Sequence, residues 1–330
     1  MGRKAKTGKE QTQSHRKTPR AQYRVRNWRE YNASLVQRGS VEVWVSEDLL
    51  REWRPSRSGP RRRGGQVQYS DRAIECLLTL RAVFCLPLRA TEGFGQSLLK
   101  LLKADVPVPD YTTLCKRGKT LVVQLPTSGR TGALHILMDS TGLKVYGEGE
   151  WKVRKHGESK RRIWRKLHLS VNDATQEIEA VLLTRAGSDD GAAGSHMLSD
   201  IIQPIERVTG DGGYDTRVFY DTCHQFGIPD IIVPPRRTAR IWQHGNSSKP
   251  PLPRDQHLRC IRRVGRHRWK QQVGYHRRSL AETSVFRFKT LFGGQLAART
   301  LEGQMTEVRI KCRALNIMTQ LGMPVSVRVA

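Results

Sequence analysis

No stretch of the 330-residue chain approaches the roughly 18 consecutive apolar residues of a membrane span. Its first residues also lack the apolar core of a secretory leader. Neither membrane insertion nor export is therefore expected. The six cysteines (Cys76, Cys85, Cys115, Cys223, Cys260 and Cys312) fall in no C-x-x-C or Cys/His spacing, so no local zinc site is expected. Their simplest role is as reduced, mostly buried thiols of a cytoplasmic protein. Acidic residues are the other scarcity: 30 Asp+Glu face 58 Lys+Arg, a net charge of +28. A field of that sign attracts polyanions and says little about fold. Nucleic acid is the expected partner, because neutralising phosphates with Lys and Arg releases counterions and drives binding. A membrane-surface role has less support, since no basic amphipathic helix stands apart.

The basic residues are unevenly placed. Residues 1–30 hold ten Lys/Arg against Glu10 and Glu30, with almost nothing apolar before Tyr23. Such a segment cannot offset the entropy of ordering, and is expected to be a mobile basic arm that seeks phosphate or simply solubilises. Trp28, Tyr31, Leu35 and Val36, with the strand-like V-E-V-W-V at 41–45, suggest a short packed element before a basic linker at 55–65. Residues 1–65 thus read as arm and linker. From Ser70 the pattern turns helical: one helix capped by Ser70 or Asp71 and stopped by Pro87, a second from about Thr91, and a third starting at Tyr111 behind Asp110. This helical region, 66–130, carries Lys116, Arg117 and Lys119 on its last helix. It fits a helix-turn-helix that reads DNA and, equally, a bundle for packing or dimerisation.

A different architecture occupies 131–330. A-L-H-I-L-M-D-S-T is an apolar run ending in an acid, as in a buried strand that delivers Asp139 to its end. A basic excursion (Lys144 to Arg162) leads into two alternating runs around N-D-A-T, which read as a β-hairpin. A helix from about Ser195 to Ile205, a strand stopping at Asp211, a helix to Phe226 and a strand at I-P-D-I-I-V follow. Asp215 is an alternative to Asp211 as the ligand but is better placed to cap the helix that follows, while Asp189 and Asp190 read as loop or N-cap acids, with a supporting role at a metal as the alternative. Gly212-Gly213 leaves Asp211 less fixed in orientation. Residues 236–270 form a basic insertion without clear periodicity, with eleven Lys/Arg against Asp255 alone. The order is that of an α/β protein with a mixed, ribonuclease-H-like sheet behind an all-helical N-terminal part.

Residues 275–289, Y-H-R-R-S-L-A-E-T-S-V-F-R-F-K, bring the chemistry together. On a helix, Tyr275, Arg278, Glu282 and Lys289 fall on one face. Alone that is a solvated stripe. Beside Asp139 and Asp211, Glu282 completes three carboxylates, the hard oxygen ligands that two divalent ions need for phosphodiester cleavage. The segment also matches the Y-(2)-R-(3)-E-(6)-K signature of DDE transposases, and D-S-T at 139–141 and D-G-G-Y-D at 211–215 resemble that family's first two acidic motifs. From about Ser70 onward the chain resembles the insertion-sequence five family within the insertion-sequence four/five superfamily. The resemblance implies Mg²⁺- or Mn²⁺-dependent cleavage and strand transfer at terminal inverted repeats, with two ions on Asp139, Asp211 and Glu282. It further implies that Arg278, Lys289 and Tyr275 contact the cut strand, and that the insertion, Arg262 and Arg263 included, meets end or target DNA. A homodimer on paired ends, associated with the nucleoid, is expected. The contrasting reading is a catalytically inactive DNA-binding protein derived from a transposase, and a ribonuclease-H-like nuclease without strand transfer leaves the signature cations unexplained.

Overall fold

The computed structural model describes residues 22–55, 67–128, 132–145, 163–243 and 251–329. The basic arm up to residue 21, the linker from residue 56 and the excursion from residue 146 lie outside the described residues.

A short strand β1 (Gln22–Val25) precedes helices α1 (Trp28–Gln37) and α2 (Glu47–Arg51). Between them V-E-V is a 3-10 turn, Val41–Val43, not the strand its alternation suggested. Among the described residues no strand lies alongside it to complete a ladder, and Trp44 and Val45 are buried from the turn instead. Then come α3 (Asp71–Val83), α4 (Leu88–Leu101) and α5 (Tyr111–Arg117). The Ser70 hydroxyl caps α3 by accepting from the Ala73 N–H, and the Asp110 carboxylate caps α5 through the Thr112 and Thr113 N–H groups. α4 begins three residues before Thr91, directly after Pro87, whose fixed φ suits a helix start.

The sheet holds β2 (Leu134–Val145), β3 (Trp164–Asn172), β4 (Ile178–Arg185), β5 (Ile205–Thr209) and β6 (Asp230–Ile232), in the order β4-β3-β2-β5-β6, with β7 (Gln295–Leu296) beside the far end of β2. β2, β3 and β4 are antiparallel neighbours, whereas β5 and β6 run parallel to β2. This is the mixed sheet of the ribonuclease-H-like fold behind a helical N-terminal part. Strand alternation sends Leu137, Leu143, Leu167 and Leu169 to one face, against α10 (Ser279–Phe292) and α11 (Leu301–Leu321). Ile136 and Met138 go to the other face, under α6 (Asp190–Ser199) and α7 (Arg217–Gln225). The first face is continuous with the apolar side chains of α3 and α5, Leu77 and Leu114 among them. The chain ends in β8 (Ser326–Val329), which pairs with β1.

Three expectations are corrected here. α6 starts at Asp190 rather than Ser195, because Asp189 caps it through the Ala192 N–H. The insertion is partly regular: α8 (Pro253–Val264) and α9 (Arg266–Gln272) occupy its second half. Asp215 does not cap α7; Thr216 does. Asp215 instead makes a two-pronged ion pair with Arg254 of α8, Oδ1 to Nε at 2.6 Å and Oδ2 to Nη2 at 3.2 Å, with both side chains buried. The neighbouring Asp255 carboxylate accepts from the Trp242 and Gln243 N–H groups, and the Arg254 guanidinium lies 3.7 Å over the Trp242 ring. The insertion is thereby locked to the segment after Asp211. Of the cysteines, Cys76, Cys223 and Cys312 are buried, whereas Cys85 and Cys115 are exposed.

Removing one member of so buried a pair leaves a charge without compensation. Arg254→Ala is expected to lower unfolding free energy by about 3–5 kcal/mol, and Arg254→Met with Asp215→Leu to lower it by much less. Urea titrations of the two variants decide this, and equal losses would refute the coupling.

Candidate active site

Parallel pairing sets the first two acids at one level. Leu137 of β2 lies opposite Thr209 of β5, and Asp139 and Asp211 each follow that pair by two residues. Asp139 is not at the end of its strand, as the apolar run suggested, because β2 continues to Val145 against β3. The run breaks there since, among the described residues, β5 has ended and β7 joins that edge only at Lys144 and Val145. A polar side chain is tolerated where the strand loses its neighbour.

The third acid arrives from above. Tyr275–Arg278 is a 3-10 turn, and α10 starts only at Ser279, so the signature segment spans two elements and not one helix. The Arg278 guanidinium stands between the acids. Its Nη1 is 3.3 Å from Asp139 Oδ1, and its Nη2 pairs with Glu282 one turn along. Burial pushes the Asp139 carboxyl above its ordinary value; Arg278 opposes that, while Asp211 and Glu282 push the same way. Asp139 therefore feels the charge of both other acids. Glu282 itself is half exposed. Tyr275 is buried beneath, its ring 6.0 Å from that of Trp269, with Lys270 Nζ at 5.0 Å and the Arg278 guanidinium at 5.8 Å from its centroid. Burial raises its phenol too.

Asp211 is held more firmly than its two following glycines suggested. It opens the 3-10 turn Gly212–Tyr214, and its Oδ1 accepts from the Gly213 N–H at 2.8 Å. A methyl group placed on Gly213 would stand 2.7 Å from Asp190 Oδ2 and 2.9 Å from Asp211 Oδ1, so only glycine lets both carboxylates approach. Asp190 in turn pairs with Lys166 Nζ at 2.7 Å, and its Oδ1 faces His168 Nδ1 at 3.3 Å. Burial alone would raise the Asp190 carboxyl, but His168 and Lys166 more than offset this and hold it at about 2. The signal for this cluster was present in β3: in R-K-L-H-L-S-V the polar Lys166, His168 and Ser170 alternate with leucines, so a strand buried on both faces carries polar side chains on one of them.

Lys289 lies two turns beyond Glu282 on α10 and makes no ion pair with the described residues. Arg262 and Arg263 are exposed in the last turn of α8, and they join none of the three acids. Arg277, next to Arg278, is taken by Asp173 of the β3–β4 turn, Nε to Oδ1 at 2.6 Å.

The donors suit a hard divalent cation: three carboxylates, partly buried, with more negative charge than Arg278 alone balances. As placed, no group of three or more His, Cys, Asp or Glu side chains among the described residues stands close enough to hold an ion. Arg278 occupies the space between Asp139 and Glu282, and would have to yield to one.

Two family models, both described as Transposase DDE domain, match the chain. One covers residues 130–317, which takes in Asp139, Asp211, Glu282 and the whole signature segment, and the other covers residues 36–148.

The close approach at Gly213 has a measurable consequence. Gly213→Ala is expected to cost about 1–3 kcal/mol in urea unfolding as an overpacked site. Asp190→Ala in the same chain should recover much of that cost, a coupling seen only between residues in contact. Strictly additive losses would show that the two do not meet.

Proposed function

This chain belongs to the DDE transposase family, and on that footing we propose that it cuts DNA at the terminal inverted repeats of an insertion sequence and transfers the ends to a target. We place it in the insertion-sequence five branch on the register of Tyr275, Arg278, Glu282 and Lys289. The observation that carries the reading is the joining of Asp139 and Glu282 through Arg278, beside an Asp211 set level with Asp139 by the strand register.

Asp139, Asp211 and Glu282 would hold the divalent ions, Mg²⁺ or Mn²⁺, two of them in this reading. Bound there, such ions would supply a water more acidic than bulk water and positive charge at the leaving oxygen. The protein's own side chains bind and orient. Arg278 offsets part of the charge of Asp139 and Glu282 while DNA is absent, and would turn to a backbone phosphate near the cut once ions were bound. Tyr275, kept protonated by burial, offers its hydroxyl as a hydrogen-bond donor to the same strand. Lys289 provides a further cation on the Glu282 helix. Exposed Arg262 and Arg263 on α8 meet DNA farther out. The helical region at 66–130 reads DNA or mediates dimerisation ahead of a catalytic unit at 131–330, and a homodimer brings the two ends together. Among the described residues no helix is long and apolar enough to cross a membrane.

Strand cleavage and transfer on a labelled fragment carrying the element's ends, with Mg²⁺, is the deciding assay. Glu282→Gln is expected to abolish both reactions while end binding persists; normal cleavage by that variant would sink the site assignment. A parent protein that binds ends yet never cuts them would favour the inactive, DNA-binding descendant. Arg278→Ala should weaken end binding and reduce the slope of log affinity against log salt by about 1. An unchanged slope with lowered folding stability would confine Arg278 to holding the acids.

A further inference from the structure

Lys166 and His168, two residues apart on β3, project from the face that α6 covers. α6 lies close there: a methyl group on Gly191 would run into the side chain of Thr216, the cap of α7. The first turn of α6 is thus pressed against the segment that carries Asp211 through Thr216. Asp190, the first residue of α6, makes no cap hydrogen bond, a task that Asp189 performs. Its carboxylate is turned to the sheet, where Lys166 Nζ takes Oδ2 and His168 Nδ1 faces Oδ1. His168 is fully buried, and its orientation is fixed by the Thr184 hydroxyl, 2.9 Å from Nε2. Asp190 Oδ2 and Cβ also stand 2.7 and 3.3 Å from where a methyl group on Gly213 would lie, so the side chain closes over Gly213, whose N–H is the donor that holds Asp211. An unbroken series of contacts therefore runs from β3 through Asp190 and Gly213 to the second acid.

We propose that Lys166, His168 and Asp190 are positioning residues for Asp211. Asp190 fixes where the Gly213 N–H sits, and hence the direction of the Asp211 carboxylate. Lys166 cancels the Asp190 charge, which would otherwise repel Asp211 at close range. His168 braces Asp190 from the sheet. None of the three touches DNA or an ion; they set how tightly the acids hold a divalent ion. The inference rests on Asp211 being one of the residues that hold it.

The test is Mn²⁺ binding to the full-length protein without DNA, by calorimetry, beside thermal unfolding in EDTA. Asp190→Asn and Lys166→Met are each expected to weaken Mn²⁺ binding about 10- to 100-fold, the effect usual for partners one contact away from a metal ligand. Their unfolding midpoints in EDTA should stay close to the parent's, and Lys166→Arg should restore most of the affinity. Should Asp190→Asn fail to fold, Lys166→Met decides, since that side chain is partly exposed. The inference is overturned if both variants bind Mn²⁺ like the parent while Asp211→Asn does not. A loss of affinity matched by an equal loss of stability in EDTA overturns it as well. If Asp211→Asn itself binds like the parent, the assignment of the ion site has failed, and the positioning role falls with it.

Discussion

Like charges resist being brought together, and the centre of this protein is organised around one cation that permits it. Asp139 comes from a strand interior, Glu282 from a helix above the sheet, and Arg278 pairs with both. Without the guanidinium, burial and mutual repulsion would drive a proton onto Asp139 or push the helix away. The position of α10 over β2 is therefore both a packing result, through Phe288 and Leu137 in one apolar cluster, and an electrostatic one. The apolar contacts set the distance and Arg278 makes that distance tolerable. Arg277 adds a tether on the opposite side of the same turn, to Asp173. The turn is held from two directions, which a site assembled from separate elements requires.

The same solution recurs twice nearby. Asp190 is matched by Lys166, and Asp215 by Arg254, each within a few residues of Asp211 in space or sequence. In a chain with a surplus of cations, the buried acids have ready partners, and each pair joins elements distant in sequence. The Asp215 pair ties the second acidic motif to α8; the Asp190 pair ties it to β3. A single apolar cluster would leave these contacts free to slide, whereas a two-pronged carboxylate–guanidinium contact fixes orientation.

Much of the site was readable in advance because its determinants are local. Arg278 and Glu282 are four residues apart and meet as helical spacing requires. Ser70 and Asp110 cap the helices they precede, since capping involves only neighbouring residues. What escaped was decided at long range. V-E-V-W-V has the alternation of a strand but no partner strand among the described residues, and Trp44 and Val45 bury from a 3-10 turn. Asp215 stands where a cap belongs, yet Arg254, 39 residues away, claims it. Helix α8 was missed although Leu258, Ile261 and Val264 recur at three-residue intervals, with Ile261 and Val264 packed beside Trp269 and Tyr275; basic residues crowd the segment, and Arg254 and Asp255 are buried at its start. That short apolar period was outweighed by the surrounding charge, and the buried ion pair extends the inward face beyond it.

That helix also shows how the net charge is divided. Arg254 sits at its start, buried to 3% of its side-chain surface, while Arg262 and Arg263 are exposed in its last turn. At 100° per residue, Arg263 projects roughly opposite Arg254. One cation is therefore an internal counterion to the motif that carries Asp211, and the others face solvent from the same rigid rod. Whatever pulls on the outer cations is opposed by the buried pair, and breaking that pair costs about 3–5 kcal/mol. A polyanion drawn to α8 by charge alone would thus meet a surface fixed relative to the three acids. Composition could give the attraction, but only the buried Asp215–Arg254 contact gives it a direction.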